Sequence, residues 1–157
     1  MIMLGVFKPR IGDIPQTDMP NLKFLTTTTP DQIRQITELY YAEGWMQPAP
    51  DNAELVTRII SGSHCFVIAV MNKGEIVGMG RGISDRVSDA YIQDVTVKKT
   101  YRGQGIGSEI IRKLLERLRA DGLTWIGLIA ERNSQAFYSR LGFEKMPDAT
   151  PMLNHQT

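Results

Sequence analysis

The run Arg102-Gly103-Gln104-Gly105-Ile106-Gly107-Ser108 sets glycine at every second position just ahead of a stretch with helical periodicity. Glycine lets a backbone approach a ligand with no Cβ in the way. A helix N-terminus adds unpaired N–H donors and the positive end of the helix dipole. Such a loop favours a phosphate or pyrophosphate, with Arg102 and Ser108 available to assist. A plain strand-to-helix turn would not need three alternating glycines, which cost helix propensity. A second candidate is Asp94, a charged residue inside the otherwise apolar run Tyr91 to Val97. Burial there would raise a carboxylate toward the range of a useful base unless the group is paired. His64-Cys65 has the residue types of a nucleophile and its base, but strand burial makes Cys65 an inert core residue.

The spacing narrows the ligand. Five residues, Lys98 to Arg102, separate the preceding strand from the first glycine. A dinucleotide-binding fingerprint follows its strand almost directly and has glycine or alanine where Ser108 stands. Glu131 could imitate the ribose-binding acid of that fold, yet too little chain follows it for a doubly wound half. No Gly-Lys-Ser/Thr sequence supports a nucleoside triphosphatase.

The elements that must position this loop are legible in the hydrophobic periods. Residues 1–21 carry Pro9, Pro15 and Pro20 with Gly5 and Gly12, which predicts an irregular N-terminal arm. A β-prone run from Leu22 to Thr28 ends at Thr29-Pro30, an N-cap and first-turn proline that start a helix to about Glu43. Its stripe is Ile33, Ile36, Leu39 and Tyr40, and Gly44 stops it. Asp51 to Ile60 is a second helix. Cys65 to Met71 and Glu75 to Ile83, joined by Asn72-Lys73-Gly74, form an antiparallel hairpin. Asp89 to Val97 is a third central strand, with Tyr91, Gln93, Val95 and Val97 expected on the core side. Ile106 to Ala120 is an amphipathic helix closed by Gly122, followed by a strand from Trp125 to Ala130 and a helix from Ser134 to Leu141. A last short strand after Gly142-Phe143 and a tail complete the chain. The strand, helix, strand unit from Tyr91 to Ala130 needs a parallel pair, so the sheet is mixed. The fold class is α/β (α+β): one mixed central sheet flanked by about four helices in one domain over 1–157, with 144–157 as last strand and tail.

Composition excludes several partners. With 157 residues and 42% hydrophobic content the chain has a core to bury, which rules out disorder as its main state. A net charge of +1 gives no field for nucleic acid. One cysteine and two histidines offer no internal disulfide and no zinc spacing, so no metal is expected. No apolar run approaches a spanning helix, so no membrane partner and a cytoplasmic location are expected.

Asp94-Val95-Thr96-Val97 followed by Tyr101-Arg102-Gly103-Gln104-Gly105-Ile106-Gly107 resembles the acyl-coenzyme A motif of the GNAT N-acetyltransferase superfamily. A second signature of that superfamily follows in order as Asn133, Ala136-Phe137-Tyr138 and Leu141-Gly142-Phe143, and the element order from Leu22 to Phe143 is similar to its fold. Gly80-Arg81-Gly82-Ile83-Ser84-Asp85 with Ile92-Gln93-Asp94-Val95 is most similar to the arylalkylamine N-acetyltransferase-like enzymes of plastids and cyanobacteria.

The resemblance implies acetyl-coenzyme A as cosubstrate, with its pyrophosphate on Arg102, Gly103, Gln104, Gly105, Ile106, Gly107 and Ser108. It implies that the backbone of Val95, Thr96 and Val97 pairs with the pantetheine arm, and that Asn133 either hydrogen-bonds that arm or caps a helix. Tyr138 matches the family's general acid, which protonates the departing thiolate; packing is its alternative role. Asp94 is either base or amine anchor, or a structural hydrogen-bonding group. Vertebrate-type arylalkylamine enzymes carry histidines where this chain has Tyr91 and Gln93, so their relay does not carry over. Asp85 is an alternative anion for a cationic acceptor, or a turn residue. Trp45 with Tyr40, Tyr41 and Met46 offers an apolar wall for an aromatic amine, or simple core. The implied function is an N-acetyltransferase acting on a small-molecule amine by direct attack, compatible with a homodimer. The rival readings are a non-catalytic acyl-coenzyme A sensor and a protein lysine acetyltransferase.

Overall fold

A computed structural model describes residues 19–154 of the chain. The predicted N-terminal arm lies outside them apart from 19–21, of which Asn21 already belongs to the first strand. The elements in order are β1 (Asn21–Phe24), α1 (Pro30–Glu43), α2 (Asn52–Gly62), β2 (Cys65–Val70), β3 (Ile76–Ser84), β4 (Asp89–Val97), a 3-10 turn (Lys99–Tyr101), α3 (Ile106–Ala120), β5 (Trp125–Gly127) and α4 (Gln135–Ser139). The five strands form one sheet in sequence order, antiparallel throughout except for the parallel β4–β5 pair.

Helix α1 starts where Thr29-Pro30 predicts. Gln32 N–H donates to Thr29 Oγ1 and Thr29 N–H to Gln32 Oε1, a reciprocal capping box worth about 1 kcal/mol. Gly44 ends the helix in the left-handed region at φ 73°. The apolar stripes of α1 and α2, with Ile36, Leu39, Tyr40 and Val56 at their centre, pack on Phe66, Ile68 and Met79 of one sheet face.

The other face belongs to α3. Gly78, Gly80 and Gly82 alternate along β3 and leave a bare track, along which Ile110, Leu114 and Leu118 of α3 lie. Four helical residues rise about 6 Å and two strand residues about 6.7 Å, so the two repeats stay nearly in step. A Cβ added at Gly80 would sit 2.8 Å from Ile110 Cγ2 and 3.1 Å from Leu114 Cδ1, so the helix lies closer than any side chain there would permit.

Strand β4 departs from simple alternation. Gln93 lies opposite Arg81 and Thr96 opposite Met79, so three steps on β4 answer two on β3. The extra residue is a bulge at Asp94, whose φ is 54°. Before it Ala90 and Ile92 face α3; after it Val95 and Val97 do. The expectation that Tyr91 and Gln93 share the core side with the valines is therefore corrected: both are exposed, because the bulge reverses the phase of the strand.

Three further corrections concern the C-terminal third. β5 ends at Gly127 rather than Ala130, and α4 spans five residues rather than 134–141. No strand follows β5 among the described residues. Phe143 N–H, which a last strand would need for pairing, donates to Tyr138 O and closes the end of α4, and Gly142 turns there at φ 88°.

Candidate active site

The ladder between β4 and β5 runs only from Asp89 opposite Trp125 to Tyr91 opposite Gly127. Beyond that point β4 continues to Val97 while the chain after β5 turns away. The strands part, and a cleft of about 850 Å³ opens between them. One wall is Gln93 to Val97, one end is the glycine loop, and the opposite wall carries Ile129, Glu131, Arg132, Phe137 and Tyr138. Its size suits a cofactor-scale ligand.

Gly103 and Gly105 adopt φ of 77° and 86°, values glycine alone adopts without strain, and Gly105 is the N-cap of α3 with no side-chain cap. The first-turn donors of α3 thus remain for a ligand. Glu75, in the β2–β3 turn, braces the approach to this loop: Lys98 Nζ lies 2.8 Å from its Oε1, and Tyr101 OH donates to its Oε2 at 2.9 Å.

The end of α1 meets the bulged part of β4 through two polar knots. Tyr40 OH donates to Asp94 Oδ2 at 2.7 Å, and Arg81 Nε donates to the same oxygen at 2.5 Å. Burial, and secondly the Asp94 charge, push the Tyr40 phenol far up, so it stays a donor. One turn on, the Glu43 carboxylate accepts from Thr96 Oγ1, Arg102 Nη2 and Arg132 Nη1, and Arg132 Nη2 donates to Glu43 O.

Residues 31–143 match the model of the acetyltransferase (GNAT) family. The chain belongs to that family. An uncharacterised N-acetyltransferase of Pyropia yezoensis is 27% identical over 129 residues, which cover 80% of this chain and 72% of the relative. A chloroplastic serotonin N-acetyltransferase of Oryza sativa subsp. japonica is 36% identical over 81 residues, 52% of this chain and 40% of that protein. Among solved structures, a GNAT-family acetyltransferase of Streptococcus pneumoniae superposes with a TM-score of 0.72 at 25% identity, over 88% of this chain and 98% of that one.

Within this GNAT chain, the cleft brings together most of the residues singled out from sequence: Arg102, Gly103, Gly105, Ile106, Gly107 and Ser108 at one end, Asp94, Val95, Thr96 and Val97 along β4, and Trp45 and Tyr138. Gln104 and Asn133 are exposed and lie off its lining, Asn133 in the left-handed region at φ 61°. Tyr41 is on the other side of α1, where its hydroxyl accepts from Asn52 Nδ2 at 2.8 Å; it is Tyr40 that meets Trp45, edge-on at 6.0 Å. Asp85 stands in the β3–β4 turn, away from the cleft. The backbone N–H groups of Val87, Ser88 and Asp89 donate to its carboxylate and lower its pKa to about 2, the turn-residue alternative.

Tyr138 is half-buried between Phe137 and Phe143, and burial followed by the Glu131 charge raises its phenol above the ordinary value. The His64-Cys65 pair is structural: His64 bridges Ser84 Oγ at 2.7 Å and Asp121 Oδ2 at 2.8 Å, and burial raises the Cys65 thiol. Sequence reasoning gave Arg81, Glu43 and Arg132 no role in the site and weighed Glu131 only as a ribose-binding acid. Arg81 stood within a quoted motif, and Glu43 sits three residues after Tyr40 on the same helix face. No group of three histidine, cysteine, aspartate or glutamate side chains able to hold a metal occurs among the described residues, and no helix there is long and apolar enough to cross a membrane.

Proposed function

We propose that the protein transfers the acetyl group of acetyl-coenzyme A to the primary amine of a small molecule by direct attack in a ternary complex. The observation that carries this reading is the cleft between parting parallel strands, with the glycine loop and the uncapped N-terminus of α3 at one end and the half-buried Tyr138 on its wall. The pyrophosphate would sit on the first-turn N–H groups of α3 with Ser108 beside it. The open edge of Val95 to Val97 would pair with the pantetheine arm as an added strand does. Tyr138 would supply the proton that the departing thiolate takes up. Asp94 serves as an organiser, since its carboxylate is engaged by Arg81 and Tyr40, and this ties α1 to the bulge.

The acceptor would enter over the sheet face that α1 and α2 leave uncovered. Trp45 bounds it on one side, and on the other Tyr91 and Trp125 stack edge-on at 5.0 Å. These aromatic edges support an amine carrying an aromatic or apolar group, in keeping with the serotonin N-acetyltransferase among the relatives. Burying such a ring contributes on the order of 1 to 3 kcal/mol, enough for ten- to hundredfold discrimination.

The deciding experiment titrates thiol released from acetyl-coenzyme A with tryptamine, phenethylamine, spermidine and a lysine peptide at equal concentration. Faster release with the aromatic amines is expected, and Trp45→Ala should erode their lead over spermidine. Coenzyme A binding without thiol release for any amine would favour a sensor, and preference for the peptide would favour a protein acetyltransferase.

A further inference from the structure

We propose, resting on the acetyl-transfer reading, that Glu131 is the carboxylate that receives the acceptor's ammonium group and takes its proton. Among the described residues, three acidic side chains line the cleft: Glu43, Asp94 and Glu131. Two are committed. Glu43 holds Arg102, Arg132 and Thr96 with a side chain only 11% exposed, and Asp94 holds Arg81 and Tyr40. Glu131 is exposed and has neither an ion pair nor a side-chain hydrogen bond among the described residues. Its neighbour in the chain does not neutralise it, because both terminal nitrogens of Arg132 are directed to Glu43. Arg140, at the end of α4, is the remaining cation of that wall.

Its place in the cleft also fits. Glu131 follows β5 where that strand has left β4, on the wall that carries Tyr138 and across from the bulge at Asp94. The charge of Glu131 reaches the phenol and helps keep it protonated, so the two groups form an acid and base of opposite duty. The proton count closes. Glu131 takes one proton from the ammonium, directly or through water, and the free amine forms the C–N bond at the thioester carbonyl. As the C–S bond breaks, the thiolate takes the Tyr138 proton, the new N-protonated amide returns one to Tyr138, and Glu131 releases its own to solvent.

The test is the pH profile of kcat/KM for wild type, Glu131→Gln and Glu131→Asp, with two amines: the best basic amine of the panel and 2,2,2-trifluoroethylamine, which is largely unprotonated at neutral pH. For the basic amine, Glu131→Gln should lose roughly 10²-fold at pH 7. The loss should shrink toward unity near pH 10, where the amine deprotonates unaided, and Glu131→Asp should recover part of it. Trifluoroethylamine should turn over alike in wild type and Glu131→Gln, and coenzyme A affinity should stay within about twofold by calorimetry. Full wild-type kcat/KM for the basic amine at pH 7 in Glu131→Gln, or one equal loss for both amines at every pH, overturns the assignment while acetyl transfer stands. Wild-type protein that releases thiol with no amine overturns the acetyl-transfer reading itself.

Discussion

Glu43, in the last turn of α1, accepts a hydrogen bond from Thr96 Oγ1 of β4 at 2.6 Å, although the two residues are 53 positions apart. The same carboxylate gathers Arg102 from the start of the glycine loop and Arg132 from the loop after β5. One acid thereby ties the wall next to Trp45 to both banks of the cleft. Glu43→Gln keeps an acceptor for Thr96 and removes the charge that holds two arginines. Both arginines are more than a third exposed, which limits the loss to about 1 kcal/mol of unfolding free energy. Urea denaturation measures it. The stronger effect expected is a rise in the KM for the acceptor, with a fold that survives; an unchanged KM would mean that the wall stands without this tie.

Gly105→Asp should abolish coenzyme A binding. The position has φ 86°, and a built Cβ meets no atom within 4 Å, so the change strains the loop without a clash. It would set a side chain and a like charge in front of the first-turn donors of α3. Calorimetry on the folded variant checks this, and near wild-type affinity would remove the pyrophosphate from this loop.

Tyr138→Phe should lower kcat by up to ~10²-fold and leave the coenzyme A Kd within a few-fold, as loss of a proton donor predicts. Burial and the Glu131 charge both raise the Tyr138 pKa. The donor form therefore persists up to and beyond the ordinary phenol value of ~10, and an alkaline fall in wild-type kcat due to this group should appear only above it. A kcat that falls with the same profile in Tyr138→Phe would assign that limb to another group.

Gly80→Ala should destabilise the protein by about 1–3 kcal/mol, the usual cost of overpacking a close contact. The added Cβ would stand 2.8 Å from Ile110 and 3.2 Å from Val95, on the core side of the bulge. Thermal denaturation gives the direction, and because Ile110→Ala removes the Cγ2 that the new Cβ would meet, the double variant Gly80→Ala/Ile110→Ala should lose less than the sum of the two single losses. No change in Tm for Gly80→Ala alone would show that α3 can lift without penalty.

Local chemistry and periodicity determine much of this protein from sequence alone. Thr29-Pro30 starts α1 and Gly44 ends it, Asn72-Lys73-Gly74 turns the hairpin, and the stripe Ile106 to Leu118 makes α3, because caps, turns and helical faces depend on residues a few positions apart. The glycine loop was legible for the same reason, as a short motif, whereas Tyr138 was singled out by the resemblance of its motif to the GNAT signature. What the tertiary structure decides involves partners far apart in the chain. The bulge at Asp94 exists in register with β3, and it sends Asp94 to Tyr40, 54 residues away, and to Arg81. That pairing engages a carboxylate for which the sequence left open a base, an amine anchor or a structural group, while the carboxylate of Asp85, the alternative anion, accepts from the N–H groups of its own turn. Where a last strand was expected, a local contact stands instead: Phe143 N–H donates to Tyr138 O, five residues back, and closes α4. Whether a carboxylate is free or engaged is a property of what folds against it, and only the packed chain leaves the Glu131 side chain with no hydrogen bond or ion pair among the described residues while Glu43 and Asp94 on the same cleft are held.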